Sequence, residues 1–215
     1  MPRKNVFTYD GENLDVTWDR RLCIHFGECG RAEGGMFQAK RDPWCQPDLV
    51  PLGQAKDIVE RCPTGALAYT GEDGSVESAP AENRILVSNN GPLYLTGDLD
   101  IAAAEDDQPG LKFRAALCRC GLSKNKPFCD NRHEAGFRDH GSVGSTGPGI
   151  EAEGGPLAVK GIPNGPLHVT GNLRILAGGG RVAWSGTEAW LCRCGQSKNK
   201  PFCDGAHKAA GFEAP

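Results

Sequence analysis

The chain repeats itself, and the repeat carries most of its chemistry. At an offset of 74 residues, Cys118-Arg119-Cys120-Gly121 recurs as Cys192-Arg193-Cys194-Gly195, and His133 recurs as His207. The run Ser123-Lys124-Asn125-Lys126-Pro127-Phe128-Cys129-Asp130 recurs as Ser197-Lys198-Asn199-Lys200-Pro201-Phe202-Cys203-Asp204. Upstream, the turn Asn90-Gly91-Pro92-Leu93 recurs as Asn164-Gly165-Pro166-Leu167. A lone unit of this size can hardly bury a core. Two copies on one chain are therefore expected to pack as an internal pseudo-dimer whose strands build one sheet layer. Each copy reads as strand, turn, strand, then a third strand entering a ligand-rich loop. The strands are expected at 85–87, 93–95 and 112–117, and again at 157–159, 167–169 and 182–191. The Gly- and Ser-rich stretch 141–155 between the copies reads as a flexible connector.

Ten cysteines in 215 residues demand an explanation. A secreted disulfide scaffold needs an export signal, and residues 1–10 are polar and mixed. Clustered thiols in a reducing compartment are more often metal ligands. With 30 Gly, 15 Pro and few aromatics, cores are expected to be modest, and a bound metal or cofactor would help to stabilise them. The net charge of -3 gives no footprint for nucleic acid, and no apolar run is long enough for a membrane span.

In an extended segment, residues two apart point to one side. Cys118 and Cys120 can therefore bind one metal ion together. Cys129 and His133, four apart, approach one another if Asp130 caps a short helix. Cys192, Cys194, Cys203 and His207 repeat the arrangement. Thiolate sets of this kind favour soft metals and iron–sulfur clusters. A four-coordinate structural zinc site with the same ligands is the alternative.

The run Cys-x-Cys-x-x-Ser-x-x-x-Pro-x-Cys-Asp-x-x-His resembles the signature of the CDGSH (NEET-type) iron–sulfur family, over about residues 80–213. The second copy, Cys203-Asp204-Gly205-Ala206-His207, departs from the namesake pentapeptide only at Ala206. In the first, Asn131 and Arg132 depart, and Asn tolerates the left-handed conformation that Gly would supply. The resemblance implies one 2Fe–2S cluster per motif, with the Cys-x-Cys pair on an inner iron and the third Cys and the His on an outer, more exposed one. An imidazole ligand raises potential and is shed on protonation, so acid-labile clusters are expected. Ser123 and Ser197 either hydrogen-bond cluster sulfurs or close the turn. Asp130 and Asp204 are expected to cap, and Lys124, Lys126, Lys198 and Lys200 to form a solvated face or a docking surface. Packing or surface roles are expected for His140 and His168.

Four cysteines remain: Cys23, Cys29, Cys45 and Cys62. Residues 5–9 and 14–18 alternate around Asp10-Gly11 as in a hairpin, and Ala55, Ile58, Val59 and Cys62 have helical spacing that Pro63 ends. Cys23-Ile24-His25-Phe26-Gly27-Glu28-Cys29 with Cys62-Pro63-Thr64-Gly65-Ala66-Leu67 resembles a divergent single-cluster ferredoxin domain, over about residues 5–72. Where ordinary ferredoxins carry a middle cysteine, this chain has Phe26. Cys23, Cys29 and Cys62 suit a 3Fe–4S cluster. A 4Fe–4S cluster needs a fourth ligand, Cys45 or His25; Cys45 also reads as a buried free thiol, and His25 as a hydrogen-bonding neighbour.

The chain is thus expected to be α+β: a small ferredoxin-like N-terminal domain (1–78), CDGSH repeat 1 (79–140), the connector (141–155) and CDGSH repeat 2 (156–215), the two repeats forming a mainly β pseudo-dimer. The expected function is electron transfer by a non-enzymatic, cytoplasmic, monomeric protein with two 2Fe–2S clusters and one 3Fe–4S or 4Fe–4S cluster. The alternatives are cluster storage, transfer or redox sensing, and an accessory subunit of an oxidoreductase. The partner would be a redox protein or an apo cluster acceptor, with no nucleic acid and no membrane.

Overall fold

The computed structural model describes residues 4–215. The alternation flanking Asp10-Gly11 produces the expected hairpin, β1 (Val6–Tyr9) with β2 (Leu14–Asp19). A one-turn helix α1 (Glu28–Arg31), a 3-10 turn at Pro47–Leu49 and helix α2 (Leu52–Glu60) follow. Strand β3 (Leu67–Gly71) then returns antiparallel to β2. The apolar stripe of α2, Ala55, Ile58 and Val59, is buried against Leu14, Val16, Leu67 and Tyr69. The helix ends at Arg61 because Pro63 disfavours the helical conformation for Cys62 before it.

The remaining strands are β4 (Arg84–Val87), β5 (Leu93–Thr96), β6 (Asp98–Ile101), β7 (Arg114–Leu117), β8 (Pro156–Gly161), β9 (Leu167–Leu176) and β10 (Val182–Leu191), with a closing turn of helix α3 (Ala206–Ala209). They form one seven-stranded sheet. In the first repeat β4, β5 and β7 make an antiparallel meander; in the second, β8, β9 and β10 do the same. Two parallel pairings join the repeats: β6 with β8, where Asp100 faces Ala158, and β9 with β4, where Arg174 faces Arg84. These pairings interchange under the 74-residue offset, so each repeat lends a strand to the other. The shared core is equally symmetric: Ile85, Leu93, Leu95 and Leu99 pack with their counterparts Val159, Leu167, Val169 and Leu173.

The expected shared sheet is therefore present, with differences in detail. The third strand of the first repeat begins at Arg114, because Pro109–Lys112 forms a 3-10 turn. Strand β9 runs on to Leu176 through Gly171 and Asn172, which read as turn residues; β10 follows it through a register shift between Gly186 and Glu188. Strand β6, Asp98-Leu99-Asp100-Ile101, alternates polar and apolar residues over only four positions and lies outside the strands expected from the sequence. The stretch 141–155, expected to be flexible, is a strap laid on the sheet. Ser185 N–H donates to Thr146 O, Gly149 N–H to Ser185 O and Gly178 N–H to Gly141 O. A side chain at Gly147 would meet Ser185 O at 2.2 Å, so only glycine lets the strap lie this close. The whole is mostly β with few helices, and among the described residues no helix is long and apolar enough to cross a membrane.

Candidate metal centres

In each repeat the loop after the Cys-x-Cys folds back on its own strand. Cys118 N–H donates to Pro127 O and Cys129 N–H to Ala116 O, both at 2.8 Å; Cys192 and Cys203 do the same with Pro201 and Trp190 at 2.7 and 2.8 Å. This register sets the two donor pairs beside each other. Cys118 Sγ lies 3.6 Å from Cys120 Sγ, and Cys192 Sγ 3.8 Å from Cys194 Sγ. Cys129 Sγ lies 3.3 Å from His133 Nδ1, and Cys203 Sγ 3.4 Å from His207 Nδ1. A tetrahedral ion with bonds of about 2.3 Å to sulfur and 2.0 Å to nitrogen separates two sulfurs by about 3.8 Å, and a sulfur from a nitrogen by about 3.5 Å. Each pair is spaced to chelate one ion. Among the described residues no group of three or more His, Cys, Asp or Glu could hold a single ion, so the two pairs of a repeat do not converge on one point.

Backbone donors face the ligand sulfurs, but burial holds most of the thiols protonated until a metal arrives. Backbone N–H groups of Leu122, Asn131, Gln196 and Gly205 each donate to a ligand sulfur at 3.4 Å. Cys118 is pulled below the ordinary thiol range, and Cys120 pushed above it, because two buried sulfurs this close share one proton. A metal ion removes that conflict by taking both as thiolates. Burial drives the Cys129 thiol up to about 12, while His133 is shifted down by its burial, toward the neutral form that binds metal. Asn131 at φ 70° and Gly205 at φ 87° both adopt the left-handed conformation, as the motif comparison anticipated.

The neighbouring residues now have definite roles. Ser123 Oγ donates to Phe128 O at 2.7 Å and accepts Asn125 N–H at 3.0 Å; Ser197 does likewise with Phe202 and Asn199, so both close the turn. Asp130 accepts the N–H groups of Lys124 and Arg132, and Asp204 those of Lys198 and Ala206; each stands one residue before the helix cap, Asn131 or Gly205, so the expected capping is replaced by a turn that the carboxylate closes ahead of the helix. Lys126 and Lys200 are tied back to the carbonyls of Ser123 and Ser197, whereas Lys124 and Lys198 are exposed. His168 stacks on Trp190, and His140 is exposed.

Arg119 and Arg193, the middle residues of the two Cys-x-Cys motifs, were given no role from sequence, yet each is 1 % exposed. Alternation turns them away from the metal side. Arg119 donates to the carbonyls of Gly91 and Ser88 and pairs with Asp139; Arg193 donates to the carbonyls of Gly165, Ile162 and Pro215. Their recurrence together with the Asn-Gly-Pro turn was the available signal. At the pseudo-two-fold, Cys120 and Cys194 form an antiparallel bridge. Side chains at Gly121 and Gly195 would strike Cys194 O and Cys120 O at 2.6 and 2.5 Å.

In the N-terminal unit, Cys23, Cys29 and Cys62 line one cavity of about 460 Å³, together with His25, Phe26 and Trp18. Burial and then the neighbouring Cys62 and Cys23 raise the Cys29 thiol. The Trp18 indole N–H is buried with no partner among the described residues, a donor that an anionic sulfur cluster nearby would suit. Cys45, expected as a possible fourth thiol ligand, does not line this cavity, although it lies near enough to Cys29 for that sulfur's charge to add to the burial that raises its own thiol. Its backbone bridges Phe37, and its side chain, 1 % exposed, packs with Met36 and Val50; burial pushes its thiol to about 12.

A family model described as a divergent 4Fe–4S mono-cluster matches residues 9–72, and one described as an iron-binding zinc finger of CDGSH type matches residues 90–134 and 164–208. The chain carries two iron-binding domains of CDGSH type in tandem behind a divergent 4Fe–4S mono-cluster domain. Two curated relatives, both called uncharacterized protein YjdI, come from Escherichia coli K12 and O157:H7. Each is 41 % identical over 61 residues, which make up 28 % of this chain and 80 % of the relative. All three units thus match the segments in which the structure gathers cysteines, with Cys45 the exception.

Proposed function

We propose that this chain is an electron carrier with three iron–sulfur centres. Cys118, Cys120, Cys129 and His133 would hold one 2Fe–2S cluster, and Cys192, Cys194, Cys203 and His207 the other. Cys23, Cys29 and Cys62 would hold a 4Fe–4S cluster, with His25, the imidazole in the same cavity, as its fourth ligand. Such clusters, when bound, supply one-electron redox chemistry.

The donor pairing carries this reading. Each pair has the span of one metal ion, and the two pairs of a repeat do not share a point, which suits two bridged irons rather than one zinc. The bridge between Cys120 and Cys194 also favours a carrier, since it seats two sites side by side in a rigid sheet. A second reading, cluster delivery, is favoured by one observation: Cys203 and His207 are only half-buried. Iron and acid-labile sulfide analysis of anaerobically purified protein, with spin quantitation after reduction, tests the assignment. About eight irons with matching sulfide is the expected count. Stoichiometric zinc without sulfide would overturn the proposal, and cluster uptake by an apo-acceptor protein without reversible reduction would favour delivery.

A further inference from the structure

The two CDGSH sites are copies in sequence but not in surroundings. Around the first, the N-terminal domain folds over the side of Cys129. Ile24, from the Cys23–Cys29 loop, forms one buried apolar cluster with Ala116 and Cys129, against which Tyr94 packs. Phe26 of the same loop meets the Tyr94 ring edge-on at 5.7 Å. Asn125 Nδ2 donates to Arg21 O at 2.8 Å, tying the motif loop to the residues before Cys23.

The 74-residue offset identifies the same positions in the second unit. Tyr94, Ala116, Asn125 and Cys129 become His168, Trp190, Asn199 and Cys203. Among the described residues no part of the N-terminal domain packs against Trp190 or Cys203 there. Trp190 is 43 % exposed, with His168 stacked on its ring at 3.9 Å. Cys129 is 3 % exposed, while Cys203 is half-buried. The backbone bonds that set the ligand loops are the same in the two copies; what differs around them is the N-terminal loop over the first and the side chains at positions 94 and 168 and at positions 116 and 190.

We propose that Ile24 and Phe26 form a built-in cap on the first CDGSH site, which makes it the enclosed centre. The second site, flanked by Trp190 and His168, is the one that external reactants and redox partners reach. This inference rests on the reading that both sites hold 2Fe–2S clusters. It divides labour between two motifs that the sequence presents as equals. It also gives the apolar residues between Cys23 and Cys29 a task besides packing beside their own cluster.

Relaxation enhancement by dysprosium–EDTA, a small paramagnetic probe that stays in solvent, tests the cap on the intact chain. Two variants isolate the centres: Cys203→Ser, which leaves only the first CDGSH cluster, and Cys129→Ser, which leaves only the second. The reduced first centre should respond severalfold less to the probe than the reduced second centre. Adding Phe26→Ala to the Cys203→Ser protein should bring the first centre's response close to that of the second. Tyr94→Ala, made on the other side of the contact, should do the same and guards against a misfolded N-terminal loop. Equal responses of the two centres, or a first centre indifferent to both substitutions, would overturn the cap while leaving the carrier reading intact. Absence of any reducible cluster at either site would instead sink both.

Discussion

Arg114 is the residue whose loss should cost this protein most for a single substitution away from the cysteines. It lies at the start of β7, in the first CDGSH unit, yet it holds the N-terminal domain. Its side chain, 5 % exposed, donates to Val59 O at 2.8 Å, Cys62 O at 2.5 Å and Leu67 O at 3.1 Å. The other face of the guanidinium pairs with both oxygens of Glu77, itself 9 % exposed. Arg114→Met keeps most of the volume and removes every donor. Stranding a buried carboxylate costs about 3–5 kcal/mol. The buried Leu67 carbonyl, losing this donor, adds about 1 kcal/mol or more where water cannot reach, whereas Val59 O keeps the Cys62 N–H. A total on the order of 5 kcal/mol is a large part of a small domain's stability. Urea denaturation followed by Trp fluorescence should show it, with early loss of the N-terminal centre's absorbance because Cys62 is on the affected loop. Arg114→Met/Glu77→Gln should recover the carboxylate's share. The effect has a definite sign with pH. Burial outweighs Arg114 and already holds the Glu77 carboxyl above its usual range, and removing Arg114 raises it further. A raised carboxyl contributes stability that is fully present below its unfolded value of about 4.3 and is lost as pH climbs through the folded one. The deficit of the single variant should therefore be smallest in acid and largest near neutrality. A single variant within about 1 kcal/mol of the parent, or a double variant no more stable than the single, would refute the assignment of Arg114 as the clamp.

Three further outcomes are expected. His133→Cys and His207→Cys should each slow bleaching of the corresponding centre at acidic pH, because protonation of a ligand imidazole, whose free value is near 6.5, competes with metal; bleaching rates equal to the parent's would show that the imidazoles are not the weak link. Gly121→Ala places a Cβ 2.6 Å from Cys194 O at a φ of +83°, so the melting temperature should fall, by at least about 2 kcal/mol equivalent, and both CDGSH centres should be lost together. Ser123→Ala removes the bonds to Phe128 O and Asn125 N–H, costing about 1 kcal/mol with an unchanged absorption spectrum and reduction potential; a shifted potential would mean that the hydroxyl reaches a cluster sulfur.

What could be read in the chain beforehand follows from which forces are local. The eight paired donors were legible because strand alternation and a one-turn spacing place them with no help from distant residues. The helix at 55–59 and the first hairpin were legible for the same reason. Strand β6 was not, since Asp98 to Ile101 acquires its partner from the other repeat, in a parallel pairing that no local pattern announces. The second half of β9 was hidden by Gly171 and Asn172, turn residues that a long partner strand overrides. Cys45 was ambiguous because a count of thiols says nothing about direction; in the structure it is buried in the N-terminal core with Met36 and Val50. Arg119 and Arg193 escaped because a charged residue in sequence reads as surface, and only the tertiary fold supplies the carbonyls that bury them.

The same distinction explains why two matching motifs become unlike sites. Reciprocal exchange of β6 and the end of β9 enforces symmetry in the sheet, and the Cys120–Cys194 bridge enforces it between the inner ligand pairs. Nothing enforces it on the outer faces, where Cys129 and Cys203 lie. An N-terminal domain present once per chain can cover one of two equivalent faces, and the substitutions at equivalent positions follow that choice. Ala116 is small under Ile24, whereas Trp190 is large and exposed; Tyr94 receives Phe26, whereas His168 shields one side of Trp190. An indole left 43 % exposed beside a half-buried ligand cysteine is difficult to explain by packing within the chain, since the copy that is packed uses alanine there. At these two pairs of positions the repeats diverge where the third domain meets one of them, while the ligand residues are the same in both.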